Sequence, residues 1–168
     1  MEKLIDYVRV YDNLISHIKC DEILEYCKEC PWDEATTVGG DNDYRACSSH
    51  AVQHDTVLDD ILYDVVNDAL IEYCSEFHHF KCRTDSGYTL LRYVPGNKYE
   101  VHTDQYMDYN REVTIIINLT DDYEGGDLSM FDGQYDIKLE KGNVVIFPSN
   151  FMFPHAIRPI VSGTRYSV

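Results

Sequence analysis

A chain of 168 residues is long enough for one domain with a hydrophobic core, and 44% apolar residues argue against wholesale disorder. The formal net charge of −16 argues against a general DNA or RNA backbone binder, which needs a basic surface to displace counterions; it permits a basic protein partner or serves only solubility. No apolar run approaches the roughly 20 residues that span a bilayer, and the start Met1-Glu2-Lys3-Leu4-Ile5-Asp6 lacks a signal peptide's apolar core, so a soluble, cytoplasmic protein is expected.

In chain order, Leu4 to Val10 reads as a short strand. Ser16 is placed to cap a helix through about Cys30, with Ile18, Ile23, Leu24 and Cys27 on one face, and Pro31 ends it. Six cysteines without a leader point to reduced thiols. Cys27 and Cys30 form a CxxC, but no second close Cys or His pair accompanies it, so a zinc site is not expected there. Trp32 to Val38 reads as a strand closed by the turn Gly39-Gly40-Asp41-Asn42. A second helix is expected from about Thr56 to Phe77, where Leu58, Ile61, Leu62, Val65, Val66, Ala69, Leu70 and Tyr73 keep the helical period.

After Gly87 the pattern changes to short strands separated by turn residues. The strands are Tyr88 to Val94, Lys98 to His102, Glu112 to Leu119, Asp127 to Phe131, Asp136 to Leu139, Asn143 to Phe147, His155 to Ile160 and Arg165 to Val168. The fold expected is mainly β with flanking helices: a double-stranded β-helix, or jelly roll, of about eight strands with the N-terminal helices packed on one sheet. One domain over 1–168 is expected, a helical support region with short strands in 1–86 and the jelly-roll core in 87–168.

His102-Thr103-Asp104 puts two ligand-type side chains at i and i+2, the same face of a strand. His155 opens a later strand after a Pro-containing loop. Two imidazoles and one carboxylate make the facial triad suited to non-haem Fe(II), with open positions for a bidentate 2-oxo acid and O₂. HxD alone is a weak signal; the wider spacing strengthens it. Arg165 follows His155 by ten positions, and the Ser162-Gly163 turn is expected to fold its strand back beside the first. A guanidinium buried in such a barrel needs an anion, and the distal carboxylate of 2-oxoglutarate matches its fork.

These residues stand in segments that resemble the prolyl 4-hydroxylase-like branch of the Fe(II)/2-oxoglutarate dioxygenases. Leu91 to Asp104 (Leu-Arg-Tyr-Val-Pro-Gly-Asn-Lys-Tyr-Glu-Val-His-Thr-Asp) resembles the family's first metal strand. Glu124-Gly125-Gly126-Asp127-Leu128 resembles its Gly-Gly-x-Leu turn, and Lys141 to Ser149 the strand before the distal histidine. With the N-terminal helices and strands, the resemblance covers nearly the whole chain. It implies Fe(II) on His102, Asp104 and His155, and 2-oxoglutarate held by Arg165 with help from the Tyr93 hydroxyl; Tyr99 and Tyr106 are weaker candidates for that help. Many collagen-type members have lysine where this chain has Arg165, which resembles the oxygen-sensing, bacterial and viral members.

The implied reaction is hydroxylation of an unactivated C–H bond, coupled to conversion of 2-oxoglutarate and O₂ into succinate and CO₂, with ascorbate a candidate reductant. A peptide or protein proline is the expected target, in a basic segment given the net charge and the run Asp104 to Tyr109, with Tyr106 and Tyr109 against the proline. The alternatives are a hydroxylase of a free amino acid or other small molecule and a non-catalytic cupin-like module. A halogenase, which replaces the carboxylate ligand by a small residue, is disfavoured by Asp104. His17, His50, His54, His78 and His79 sit in polar or helix-end contexts and are not expected to bind metal.

Overall fold

The computed structural model describes residues 3–35, 44–82, 84–105 and 111–168. The chain opens with a 3-10 turn, Leu4–Tyr7, where a strand is expected: Lys3 N–H donates to the Asp6 carboxylate at 2.7 Å and closes the turn locally. Strand β1 (Arg9–Tyr11) follows, then helix α1 (His17–Glu29). Ser16 caps α1 by accepting from Lys19 N–H at 3.2 Å, as its position in the sequence suggests. Cys20, Ile23 and Cys27 form the buried face of α1, whereas Ile18 is 81% exposed. Ile18 stands five residues before Ile23, about 140° round the helix, so the two cannot share a face.

Strands β2 (Asp33–Glu34), β3 (Arg45–Ala46) and β4 (Ser48–Ala51) come next. Of the strand expected over 32–38, residues 32–35 are described and only Asp33–Glu34 is strand; 36–38 and the turn at 39–42 lie outside the described residues. Helix α2 (Val57–Glu76) is capped by the Thr56 hydroxyl, which accepts from Asp59 N–H at 3.2 Å. Its buried residues, Leu58, Leu62, Val65, Val66, Ala69 and Tyr73, are those of the periodic stripe.

Ten strands follow: β5 (Thr89–Tyr93), β6 (Lys98–His102), β7 (Val113–Ile117), β8 (Glu124–Gly125), β9 (Leu128–Met130), β10 (Tyr135–Ile137), β11 (Val144–Pro148), β12 (His155–Ile157), β13 (Ile160–Ser162) and β14 (Arg165–Ser167). The run expected as one strand over 155–160 is broken at Arg158-Pro159. Proline cannot donate to a ladder, and beyond it β13 leaves β12's sheet to pair with β8.

The strands form two facing layers. One runs β1-β11-β7 and continues through β14-β5-β4-β2. The junction is made by Ile117 and Val168, whose backbones exchange two hydrogen bonds of 2.9 Å, and by the Asn118–Ser167 bridge. The other layer has the order β10-β9-β12-β6-β3. Alternation along the strands divides the core in two. Leu90, Ile117, Val144 and Ile146 pack outward against α1 and α2. Tyr93, Ile116, Val145 and Phe147 face inward, toward Leu128, Met130 and Ile157 of the opposite layer. This is a jelly roll with its helices on one sheet, and the inward space between the layers holds the site.

Candidate metal centre and anion pocket

Strand β6 carries His102 and pairs antiparallel with β12, whose His155 lies directly opposite His102. Asp104 follows β6 by two residues. One ligand atom from each of the three falls within 4.8 Å of the others. His102 Nε2 is 3.5 Å from one Asp104 oxygen, and His155 Nε2 is 3.3 Å from the other. Each imidazole turns Nδ1 to a backbone carbonyl, Glu100 O at 2.7 Å and Phe153 O at 3.2 Å. A carbonyl only accepts, so Nδ1 carries a hydrogen in each ring and Nε2 is the atom left facing Asp104. Two Nε2 atoms and one carboxylate gathered in this way form a donor set that suits Fe(II).

The surrounding packing fixes the donors. Tyr99 stacks on the His102 ring with centroids 3.5 Å apart, and Phe147 meets the His155 ring at 4.7 Å. Burial opposes ionisation of Asp104, but the two imidazoles and the Thr114 hydroxyl outweigh it and hold its carboxyl well below the usual carboxylate range. Thr114, on the inward face of β7, donates to Asp104 Oδ2 at 2.6 Å and lies 2.8 Å from the Ser149 hydroxyl. Thr114→Val keeps the shape and β-branching but removes this donor. It is expected to weaken divalent-metal affinity by about 10- to 100-fold, the usual effect of losing a hydrogen-bonding partner behind a metal ligand. Thr114→Ser should recover most of the affinity; Mn(II) titration followed by electron paramagnetic resonance measures both.

On the facing layer, Arg165 pairs with Tyr93 across β14 and β5, and both side chains are about 1% exposed. The expected return of the Arg165 strand beside His155 does not occur. The Gly163 turn packs on the Asp122-Tyr123 backbone, where a Cβ would lie 2.3 Å from Asp122 O, and β14 is carried to the other layer. Arg165 still reaches the same cavity, which His102, Asp104, His155, Tyr93 and Tyr99 also line. Its Nε donates to Asn118 Oδ1 at 3.1 Å, while Nη2 is buried with no hydrogen-bond partner among the described residues. A buried guanidinium with an unsatisfied nitrogen is matched by a carboxylate supplied from the cavity. Burial pushes the Tyr93 hydroxyl far above its ordinary value, Cys47 adds to this and Arg165 opposes it, so the hydroxyl stays protonated. The Gly125-Gly126 turn serves this pocket directly: a Cβ on Gly126 would lie 3.3 Å from the Arg165 stem and 2.4 Å from Ile160 Cδ1, and its φ is +68°.

Among the described residues, His102, Asp104 and His155 are the only cluster of three or more potential metal-ligating groups. Cys27 is buried, and burial pushes its thiol up to about 12, which disfavours the thiolate that zinc would need. Tyr106 and Tyr109 lie outside the described residues. Asn118, Thr114 and Ser149 are not singled out by the sequence reading. A signal for two of them is present: Thr114 and Asn118 are the polar members of one strand face that is otherwise Ile116, and polar residues facing a core need partners.

Residues 88–168 match the model of the 2OG-Fe(II) oxygenase superfamily. A PKHD-type hydroxylase of Paracoccus denitrificans (strain Pd 1222) is 32% identical over 79 residues, 46% of this chain and 31% of that protein. A PKHD-type hydroxylase of Synechococcus sp. (strain CC9311) is 24% identical over 159 residues, 90% of this chain and 71% of that protein. The chain thus spans about a third of the first of these relatives. Among solved structures, a prolyl hydroxylase from Trichoplax adhaerens, in complex with a hypoxia inducible factor oxygen degradation domain peptide fragment, superposes with a TM-score of 0.80 at 17% identity, covering 96% of this chain and 80% of that one. The viral collagen prolyl hydroxylase of Paramecium Bursaria Chlorella virus-1, in its 2OG complex, gives a TM-score of 0.75 at 20% identity, covering 96% and 92%. These structural likenesses are of fold, and they extend over the N-terminal helices that the family match leaves out. Residues 88–168, which carry the triad and Arg165, thus resemble the 2OG-Fe(II) oxygenase superfamily in sequence, and nearly the whole chain is similar in fold to the two prolyl hydroxylases.

Proposed function

We propose that this protein is an Fe(II)- and 2-oxoglutarate-dependent hydroxylase, with iron on His102, Asp104 and His155 and the distal carboxylate of 2-oxoglutarate on Arg165 and Tyr93. The observation that carries the reading is the buried Arg165 guanidinium, with Nη2 unpartnered among the described residues, lining the same cavity as the three convergent ligands. When bound, Fe(II) supplies the activation of O₂ that places one oxygen atom in the substrate C–H bond and the other in succinate, with CO₂ released. The chain's own residues do the rest. His102 and His155, held by their Nδ1 contacts, and Asp104, held by Thr114, fix the metal's position. Arg165 and the protonated Tyr93 hydroxyl set the direction from which the 2-oxo acid approaches. The apolar side chains of Leu91, Ile116 and Ile157, which line the same cavity, keep bulk water from the reacting atoms.

The proposed substrate is a peptide or protein proline, in a segment with nearby Lys or Arg. Support comes from the two structural relatives, one solved with a peptide and one named a collagen prolyl hydroxylase, and from the net charge of −16. The cavity also reaches Asp33, Glu34 and Glu112, alongside Arg45 and Arg111. No helix among the described residues is long and apolar enough to cross a membrane. All six cysteines are free, which supports a reducing, cytoplasmic setting. The experiment compares succinate release and substrate mass gain for a basic proline peptide, an acidic one of equal length and free L-proline, at low and high salt. The basic peptide should turn over fastest, and salt should slow it. Faster turnover of free proline with no salt effect would assign the enzyme to small molecules instead.

A further inference from the structure

We propose that Asn118 is a positioning residue for the co-substrate. Its side-chain amide holds the Arg165 guanidinium at one depth and leaves its charge unneutralised, so that the pocket selects a 2-oxo diacid of one chain length. The inference rests on the reading of Arg165 given above and goes beyond it by naming what sets that arginine's geometry.

Asn118 directly follows β7 and has no exposed surface. Its Nδ2 donates to two backbone carbonyls, Thr120 O at 2.7 Å and Leu139 O at 3.1 Å. Only an NH₂ group satisfies both carbonyls, so the amide orientation follows from the network and Oδ1 must face the other way. There Oδ1 accepts from Arg165 Nε at 3.1 Å, and the Tyr123 hydroxyl lies 3.4 Å from Oδ1 and 3.2 Å from Leu139 O, with one hydrogen to share between them. The backbone around the amide is equally constrained. Asn118 N–H donates to Asn143 O, Gly142 N–H donates to Asn118 O, both at 2.9 Å, and Asn118 bridges Ser167 of the arginine's own strand.

Two consequences follow. With Nε taken by Asn118, the terminal edge of the guanidinium is left for the cavity, where Nη2 has no other partner among the described residues. The partner is also neutral. A carboxylate in the same place would tie up the positive charge and compete with an incoming anion, whereas an amide orients the fork without cancelling its charge. The metal ligands are anchored on one layer and the guanidinium on the other. The distance between the two ends of the co-substrate is then set by the protein, and a diacid one methylene shorter or longer fits badly.

The test uses the wild type, Asn118→Ala and Asn118→Asp, each checked for folding by thermal melting. Binding of 2-oxoglutarate to the Mn(II)-loaded protein is measured by calorimetry. Turnover is measured with 2-oxoglutarate, oxaloacetate, 2-oxoadipate and 2-oxopentanoate, the last lacking the distal charge. For the wild type, the three analogues should be at least about tenfold poorer than 2-oxoglutarate. Asn118→Ala should raise Kd and KM for 2-oxoglutarate about tenfold to hundredfold, as expected for losing a hydrogen bond to a charged group, while kcat at saturation is kept and preference over 2-oxopentanoate falls in step. Asn118→Asp, equal in size, should show at least the same loss. A wild type that binds no 2-oxoglutarate overturns the Arg165 reading and this inference together. A wild type that binds it, with folded Asn118 variants that bind and discriminate as well, overturns this inference alone. If neither variant folds, the wild-type series still decides: indifference to one methylene shows that the guanidinium is not held at a fixed depth, and the inference fails.

Discussion

His102→Ala, Asp104→Ala and His155→Ala should each abolish succinate production and stoichiometric Mn(II) or Co(II) binding while the protein still folds. Each substitution removes one of three converging donors, and two remaining ligands with water cannot reproduce a three-point protein site. The costs to folding should differ among them. The Asp104 carboxylate lies against two imidazoles, so its loss leaves both rings without the group that faces them. His155 is 3% exposed and packs on Phe147, so its truncation opens a cavity and should lower the melting temperature most. His102 stacks on Tyr99 but is only partly buried, and its loss should be felt least in the fold. Circular dichroism melts of the metal-free proteins measure this order. Near-normal turnover in any of the three would remove that residue from the metal centre.

Arg165→Ala should raise KM for 2-oxoglutarate steeply with a smaller effect on kcat at saturation. Truncating one partner of a buried charge-assisted pair costs about 2–5 kcal/mol, or roughly 30-fold to a few thousand-fold in apparent affinity. The effect should lie in this range because the side chain is almost completely buried and no ion pair within the described residues takes over its role. Arg165→Lys should recover part of the loss, since the ammonium keeps the charge but gives up the fork and the Nε contact to Asn118. A 2-oxoglutarate titration of initial rates, at fixed substrate and Fe(II), measures all three proteins. An unchanged KM in Arg165→Ala would place the distal carboxylate elsewhere.

The two predictions address opposite layers of the same cavity. His102, Asp104 and His155 come from β6, β12 and the residues just after β6; Arg165, Tyr93 and Asn118 come from β5, β14 and the end of β7. Thr114, near the start of β7, and Asn118, just after its end, lie on one face, the first behind Asp104 and the second behind Arg165. Strand β7 is thereby the common frame on which both halves of the site are positioned, and changes along its inward face should disturb metal and 2-oxoglutarate binding separately.

Much of this was legible in the residues alone. Caps and periodicity are local, so Ser16 and Thr56 marked their helices and the apolar stripe of α2 marked its buried face. The closeness of His102 and Asp104 was suggested by their i, i+2 spacing, although Asp104 stands two residues past the end of β6 and not on the strand itself. Local pattern failed where geometry depended on angle or partner. Ile18 looked apolar enough to be buried but points about 140° away from Ile23. The run 155–160 looked continuous but breaks at Pro159 and changes sheets. Strand partners were the larger gap. Backbone ladders are chemically alike along every strand, so nothing in residues 155–167 states that His155 will lie opposite His102, or Arg165 opposite Tyr93. That choice belongs to the closure of the two layers, made by the Gly125, Gly126 and Gly163 turns and by the joining of β7 to β14. Only the closed barrel brings Asn118 to Arg165 across 47 residues of chain, and with it the orientation of a buried guanidinium lining the same cavity as His102, Asp104 and His155.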